Sequence, residues 1–528
     1  MGLLLTAASL CAQQTPATIA DSLVKAGWVL FYQQNHPAEA ASNFRQAIAT
    51  DSNCAKAWSG LGNWLRYSSL PDSAIICFRR TLQIDSHYFN AWLNLGMCYA
   101  MKGREEDALA ANRVYEKKYP DSTGWLTGYV FIYQNFRHYD SALRYCNLFV
   151  DHEPSTNARM MRADIFMQMG NPAGAIPDLR AGLEAPPHNL FALTRLANAF
   201  LMIGLNDSCE HYITLALSQS PGDPFGLFVF AGLRFIQGNH AEALAIVDRG
   251  YLSDSISNTF PGLKAEIFMK LKQFNMAIAE YEKMLQRNPK SIDIVAELCK
   301  ARALLNADPG EVEYDSTGTP RFRNFTSLKT KTLDKLVTNK KSRYNFVSLT
   351  ARFEKDPRSL GLDDWFMLYY GMAHQSGYSP YSGCEIVDAI IKSLQESGDD
   401  RELRNTGPGL LREDFTRFRL YFPLMNLYLS EGEYEKAQSI AYNFFGLTSA
   451  ILATGDGKSP ETARIVVSVP DEYLIMNLLG FVTTMQALHE KNGHMFDSFK
   501  GDLSDGKNAT LWFNIDKPYQ KLGQNFGK

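Results

Sequence analysis

Small and apolar residues recur at a fixed interval over about the first 300 residues of the chain. A small residue stands at eight places, each 34 positions after the last except for one step of 33: Ala40, Ala74, Ala108, Ala142, Ala175, Cys209, Ala243 and Ala277. A free cysteine behaves as a small apolar residue, so Cys209 fits the series. Such a long period indicates stacked supersecondary units rather than one large core.

Within each unit, the apolar spacing predicts two antiparallel helices, A and B. Trp58 and Trp92 mark helix A one period apart, and Gly62 and Gly96 follow them by four positions. One face of a helix pair cannot be buried alone, so neighbouring units must stack. We expect the glycine of helix A and the small residue of helix B to lie where two helices approach closely.

The combined spacing resembles the tetratricopeptide repeat. The best copy carries the marks of that family at Trp92, Leu95, Gly96, Tyr99, Ala108 and Pro120. The resemblance implies a mainly α fold, a solenoid of about eight helix pairs over residues 21–307. It also implies a scaffold that binds a protein or peptide partner. Residues 292–305 are expected to form the helix that caps the array.

The period is lost after Asp308-Pro309-Gly310, which stops any helix. We expect a linker at 308–324 and a smaller α+β domain at 325–528 with a short antiparallel sheet. Its predicted helices cover 344–354, 363–373 and 424–447, and a further helix opens at Pro470. Its predicted strands cover 464–469, 496–500 and 510–515, the last two joined by a loop with Asp505-Gly506.

Short motifs of this second domain occur in the order seen in a family of unknown function from exported bacterial proteins. They are Leu368-Tyr369-Tyr370-Gly371, Tyr378-Ser379-Pro380-Tyr381, the run 454–463, Asp471-Glu472-Tyr473 and Phe513-Asn514-Ile515. The resemblance covers residues 325–526. It implies export and carries no activity over to this chain.

The first residues are similar to a truncated signal peptide. Leu3 to Leu10 form a short apolar core, and Leu10-Cys11-Ala12 resembles a signal peptidase site. The first basic residue is Lys25, which departs from the usual charged start. We therefore predict a signal peptide at 1–12 and a protein exported to the periplasm or cell envelope. No later apolar run is long enough to span a membrane.

Charge and catalytic motifs narrow the function. The net charge of −3 gives no reason to expect nucleic acid as a partner. Gly457-Lys458-Ser459 lacks the upstream glycine of a phosphate-binding loop, since position 452 is Leu.

We predict no cofactor, no metal and no enzyme activity. An alternative stays open, in which the second domain is a hydrolase-like enzyme and the repeats recruit its substrate. Its candidate groups are His374, Asp456, Glu461, Asp471, Glu472, His489, His494 and Asp497.

The inner face of the array is the candidate binding site. In the tetratricopeptide family, positions 2, 5, 6, 9, 12 and 13 of each unit line or border a concave face. The carboxylate clamp of that family needs two asparagines and three basic residues. Here the asparagines occur as Asn63 and Asn94, and Ser59, Gly124 and Gly128 replace the basic residues. A clamp for peptide carboxylates is therefore not expected.

Later positions of the same face are apolar. They are Met97, Met101, Phe131, Met160, Met167, Phe191, Met202, Phe225, Phe228 and Phe235. Methionine and phenylalanine suit adaptable binding of an apolar or helical segment of a partner. We predict a partner groove that includes these residues and the two asparagines. The alternative is that the apolar side chains belong to the internal core. The oligomeric state is not set by the sequence.

Overall fold

The computed structural model describes residues 15–32, 36–183, 189–253, 259–307, 312–314, 320–322, 330–380, 385–503 and 507–526. The predicted signal peptide, most of the predicted linker and the loop with Asp505-Gly506 lie outside the described residues. The chain divides into two compact units, Met1–Leu233 and Arg234–Lys528. None of the described helices has both the length and the apolar character needed to cross a bilayer.

The first unit is built from antiparallel helix pairs. Odd-numbered helices take the A position and even-numbered helices the B position: α1 (Pro16–Tyr32), α2 (Pro37–Thr50), α3 (Ala55–Tyr67), α4 (Pro71–Ile84), α5 (Phe89–Met101), α6 (Glu105–Lys118), α7 (Gly124–Asn135), α8 (Tyr139–His152), α9 (Thr156–Gln168), α10 (Pro172–Ala181), α11 (Leu190–Met202), α12 (Asn206–Gln219) and α13 (Pro224–Ile236). The division between the two units falls within α13. Three B helices begin with proline, whose missing N–H is harmless at a first helical position.

Close packing explains the small-residue series. All eight members have no exposed surface. A Cβ on Gly62 would lie 2.9 Å from the ring of Phe78, and a Cβ on Gly96 would lie 3.2 Å from the backbone oxygen of Ala108. The expected close approach of helices A and B is therefore confirmed.

The turn from helix A to helix B has a period of its own. In seven turns that the structure describes, one residue adopts a left-handed backbone, with φ between 58° and 81°: Ser69, Gly103, Arg137, Gly170, Gly204, Gly238 and Lys272. The next residue donates its N–H to the carbonyl five positions earlier, as Arg104 does to Tyr99 at 2.9 Å. This is the Schellman ending of a helix. It reverses the chain at the same point in each of these seven turns.

The second unit continues with helix pairs and then departs from them. Its further helices are α14 (His240–Ser253), α15 (Thr259–Lys270), α16 (Phe274–Arg287), α17 (Ile292–Asn306), α18 (Thr330–Thr338), α19 (Phe346–Lys355), α20 (Leu362–Gly371), α21 (Glu385–Ser397), α22 (Arg401–Glu413), α23 (Tyr421–Glu431), α24 (Tyr434–Ala453), α25 (Val469–Leu478) and α26 (Asp516–Phe526). The predicted helices at 344–354, 363–373 and 424–447 correspond to α19, α20 and the pair α23–α24.

The described residues of this unit form two small sheets. The first pairs β1 (Val312–Tyr314) with β2 (Pro320–Phe322) inside the segment predicted as a linker. The second has the strand order β3-β6-β5-β4 and is formed by β3 (Arg464–Ile465), β4 (Val482–Lys491), β5 (His494–Asp502) and β6 (Asn508–Asn514).

The larger sheet corrects one expectation. The pairs β4–β5 and β5–β6 are antiparallel, but β3 pairs with β6 in parallel, so the sheet is mixed. The connection from β3 to β6 runs through α25 and the β4–β5 hairpin, which makes a parallel pair possible. β3 is also shorter than the predicted strand, because α25 begins at Val469.

The core of the second unit includes the last helix of the array. The inner residues Val295, Cys299 and Ala303 of α17 belong to the same buried cluster as Trp365 of α20. α17 packs against α16 and also against α24. A Cβ on Gly446 of α24 would lie 2.5 Å from the Trp365 ring, so glycine admits the indole there. The helix expected to cap the array is therefore buried on a second face.

Candidate functional site

Eleven of the twelve predicted groove residues lie in the first unit, all on A helices. Phe191 and Met202 of α11 are exposed, at 40 % and 54 %. Six more are partly exposed: Met97, Met101, Phe131, Met167, Phe225 and Phe228. Such exposed apolar side chains on one set of helices form a candidate contact surface.

The two asparagines and Met160 contribute little surface to this face. Asn63, Asn94 and Met160 are buried, with 7, 8 and 6 % exposure. The side-chain nitrogen of Asn63 donates to the backbone oxygen of Ser59 at 3.0 Å, and that of Asn94 to Asn90 at 2.8 Å. These bonds stay within one helix, so the amide nitrogens are used inside the array.

An arginine lies among the apolar groove residues. The guanidinium carbon of Arg195 lies 4.1 Å from the ring centroid of Phe225 and 5.0 Å from that of Phe191. Its Nε lies 3.8 Å from Oδ1 of Asp164 on α9. This Nε is buried and has no hydrogen-bond partner among the described residues. A cation between two aromatic faces is held by the ring quadrupoles.

A depression lies beside this cation. Its volume is about 410 Å³, and its lining comes from α9 and the start of α11: Thr156, Asn157, Met160, Met161, Asp164, Asn189 and Phe191. Burial raises the pKa of Asp164, and the charge of Arg195 opposes that rise. The side chain of Asn189 accepts a hydrogen bond from the backbone N–H of Phe191 at 2.9 Å and so fixes the start of α11. The site combines an apolar floor with one ion pair.

The pattern of apolar side chains does not reveal Asp164 and Arg195. Counted from their helices, they occupy inner positions 9 and 6 of their units, among the positions expected to line the groove. A charged residue at a position that lines the groove is the sequence feature that could have identified them. The geometry adds that these two side chains come from different repeats.

Phe235 lies in the second unit, and its surroundings differ from those of the other groove residues. Its ring centroid lies 5.5 Å from that of His240. It also lines a cavity of about 530 Å³ with Glu266, Met269 and Lys300.

The candidate catalytic groups of the second unit fall into two sets. Asp471, Glu472 and Asp497 are buried, at 3, 0 and 6 % exposure. The Tyr369 hydroxyl donates to Oδ2 of Asp471 at 2.5 Å and accepts from the N–H of Val467 at 2.9 Å. Asp471 is therefore bonded inside the core through the Tyr369 hydroxyl.

Burial controls the ionisation of these acids. It raises the pKa of Asp471 to about 7, although the bond from Tyr369 favours the charged form. It raises the pKa of Glu472 to about 9, with smaller contributions from the charges of Asp497 and Asp471. Neither carboxyl oxygen of Glu472 has a hydrogen-bond partner among the described residues. Glu472 is therefore neutral near pH 7.

The remaining candidate groups have structural partners. The partner distances are 3.0 Å for His374 with Asp334, 2.8 Å for His489 with Ser498, 2.6 Å for His494 with Asp516, and 2.5 Å for Glu461 with Lys491. Asp456 accepts from the N–H of Lys458 at 3.0 Å, within the turn that follows α24. Gly457 has φ of +68° there, a left-handed backbone of the kind found in tight turns.

Comparisons with known proteins agree with both resemblances. Residues 331–523 match the family described as Domain of unknown function (DUF4919). Residues 25–87, 65–123 and 262–291 match tetratricopeptide repeat models. No curated protein matches the chain.

Several solved structures are similar to parts of the chain at low identity. A tetratricopeptide repeat protein from Parabacteroides merdae is 16% identical and has a TM-score of 0.35, over 53% of this chain and 98% of that one. A thermophilic repeat protein from Thermus thermophilus is 19% identical with a TM-score of 0.33, over 34% and 99%. PilW, a type IV pilus biogenesis factor, is 17% identical with a TM-score of 0.35, over 40% and 98%.

The family matches cover both the periodic and the non-periodic part of the sequence. The repeat models match segments on both sides of the division within α13, and the DUF4919 match begins in α18. The chain therefore combines tetratricopeptide repeats with a C-terminal DUF4919 domain.

Proposed function

We propose that this protein is a non-enzymatic interaction scaffold that binds an apolar or helical segment of a protein partner along the A helices α9, α11 and α13. The observation that carries the proposal is the site around Arg195, whose guanidinium lies between the rings of Phe191 and Phe225 beside a depression of about 410 Å³. Repeat arrays of this kind use such inner faces to bind extended partners.

The chemistry of the groove suits such a partner. Exposed Phe191 and Met202 supply adaptable apolar contacts at two ends of α11. The ion pair Asp164–Arg195 adds charged groups among these apolar side chains. Such a pair would fix the register of a bound segment. We propose that an apolar side chain of the partner enters the depression, while a polar group meets this pair.

We also propose that the protein is exported and works in the periplasm or cell envelope. This part rests on the apolar run Leu3 to Leu10 and on Leu10-Cys11-Ala12. Fractionation of cells that make the full chain, followed by mass measurement of its first residue, tests it. Mature protein that stays in the cytoplasm and keeps residues 1–12 would refute export.

Partner capture tests the groove. The double variant Phe191→Ser/Met202→Ser removes two exposed apolar side chains, so we expect the thermal midpoint to change little. We expect capture of the partner from the envelope fraction to be lost. A matched control is Ile76→Ser, which removes an apolar side chain of 66 % exposure from the B helix α4.

Three results decide the proposal. Capture that is lost in the double variant and kept in Ile76→Ser supports the groove. Capture that both variants keep places the partner on another face. A double variant that unfolds would show that the two side chains belong to the core.

A further inference from the structure

A further cavity lies in the DUF4919 domain. Its volume is about 670 Å³, which is within the range of small-molecule sites. Three phenylalanines, a methionine and a proline supply its apolar lining: Phe346, Phe353, Phe415, Met372 and Pro357. The ring of Phe353 packs against Trp365 at 5.7 Å and Phe415 at 5.3 Å, so its position is fixed by neighbours.

Two opposite charges at this cavity have no partner among the described residues. Glu354 lies on α19, eight residues after Phe346, and Arg412 lies near the end of α22. No ion pair or hydrogen bond joins either side chain to a described residue. The second arginine of the lining differs, because Arg417 donates to the Leu410 carbonyl at 3.0 Å and lies within 4 Å of two acids. Those two acids, Glu413 and Asp414, also line the cavity, so Arg412 and Glu354 are the cation and the anion of the lining that have no partner among the described residues.

Two neutral side chains of the lining also lack partners. Oγ1 of Thr350 and Oδ1 of Asn443 are buried and have no hydrogen-bond partner among the described residues. An unsatisfied buried polar group is costly, so such groups call for a partner. A half-turn of the Asn443 amide exchanges its oxygen and nitrogen, so this side chain can offer either group to the cavity.

We propose that this cavity binds an α-amino acid or a short peptide with an aromatic side chain. The carboxylate would pair with Arg412 and the amine with Glu354, because a zwitterion matches two opposite charges at one site. The aromatic ring would lie among Phe346, Phe353 and Phe415, where ring pairs are favourable. Thr350 and Asn443 would bond to the polar atoms between these ends. The site lies in a different part of the chain from the scaffold groove and does not depend on it.

Calorimetric titration of the full chain with a small set of probes tests the ligand class. L-phenylalanine represents a free amino acid, and the dipeptide glycyl-phenylalanine represents a peptide. N-acetyl-phenylalanine amide has the same ring without either charge. We expect at least one zwitterion to bind, and the neutral probe to bind about tenfold more weakly or worse. Absence of binding by both zwitterions at millimolar concentration, or equal binding of the neutral probe, overturns the proposal.

Variants test the two charges one at a time. Arg412→Gln should weaken binding of the zwitterion and of 3-phenylpropionate by about tenfold or more, and leave phenethylamine unaffected. Glu354→Gln should weaken phenethylamine and leave 3-phenylpropionate unaffected. Both variants with unchanged affinity for every probe would overturn the assignment. The matched control is Lys392→Gln on α21, whose side chain is 73% exposed and does not line the cavity.

Thr350→Val separates binding from stability. Valine has nearly the shape of threonine without the buried, unpartnered hydroxyl. We expect weaker binding of the zwitterion together with a thermal midpoint that does not fall. A lower midpoint with unchanged affinity would show that this hydroxyl is used by the fold instead.

Discussion

At the scale of single residues, the left-handed position between helices A and B offers a direct test of the repeat geometry. Four of its seven occupants are glycine, while Arg137 has φ of 59°. This backbone destabilises a residue that has a Cβ by about 1–2 kcal/mol. Glycine avoids that strain but loses more conformational entropy on folding, which offsets part of the gain. We therefore expect Arg137→Gly to stabilise the protein by about 0.5–1 kcal/mol. Urea unfolding of the full chain measures this change.

The reverse substitution is the matched control. A Cβ added to Gly170 would meet no atom within 4 Å, so Gly170→Ala adds backbone strain without a steric clash. We expect it to destabilise the protein by about 1 kcal/mol. Equal midpoints for both variants and the parent would contradict a common left-handed turn.

The small residue that opens each helix B carries the second prediction at this scale. Ala108 has no exposed surface, and its backbone oxygen faces Gly96 of the neighbouring helix. We expect Ala108→Leu to destabilise the protein by about 1–3 kcal/mol through overpacking. An unchanged urea midpoint would show that the two helices have room to separate.

Residue identity explains both the success and the limits of the sequence prediction. The period was visible because Ala108 and its equivalents are all small and fully buried. The left-handed turn was also present in the sequence, as Gly103, Gly170, Gly204 and Gly238, but Ser69, Arg137 and Lys272 interrupt it. Arg195 was missed because hydrophobicity alone does not reveal a cation that lies between two rings.

At the scale of elements, exposure decided which strands were predictable. The predicted strands at 496–500 and 510–515 correspond to β5 and β6, which bury Phe499 and Phe513. β4 was missed because most of its ten residues are exposed on both faces, so its sequence lacks a period-two pattern. The parallel pairing of β3 could not be read from two residues, since the pairing direction follows from the chain path between them.

The acids at the start of α25 give a pH prediction for this element. Folding raises the pKa of Glu472 from its ordinary value to about 9, since burial disfavours its charged form. Between those values the unfolded chain binds fewer protons than the folded one, so stability falls as pH rises. The slope for one group is about 1.4 kcal/mol per pH unit. Asp471, whose pKa is raised to about 7, also lowers the stability as the pH rises toward that value.

Chemical denaturation between pH 5 and 9 tests this assignment of Glu472. We expect Glu472→Gln to raise stability at the alkaline end and to remove most of the slope there, because glutamine stays neutral. Glu461→Gln is a suitable control, because Glu461 is exposed and its pairing with Lys491 lowers its pKa instead of raising it. A slope that survives in Glu472→Gln would assign the pH dependence to another group.

At the scale of the whole molecule, the last helix of the array and the C-terminal domain share one core. The sequence predicted a boundary at 308–324 because the period ends there, and the domain limits remain a prediction. The buried cluster nevertheless joins Val295, Ala303 and Leu304 of α17 to residues of α20 and α24. The period of the sequence shows where the repeats end. Whether the two parts of the chain can separate depends instead on the buried cluster that they share.

Cleavage between these parts tests whether they depend on each other. With an engineered protease site at 315–319, we expect the two pieces to co-elute in gel filtration under native conditions, because the apolar face of α17 stays in the common core. Ala303→Glu, a charge at a fully buried position, should make them separate. Leu305→Glu, at a position of 40 % exposure on the same helix, should leave them together. Pieces of the parent protein that separate without denaturant would show that the C-terminal domain is independent of α17, as the loss of the period at 308–324 predicts.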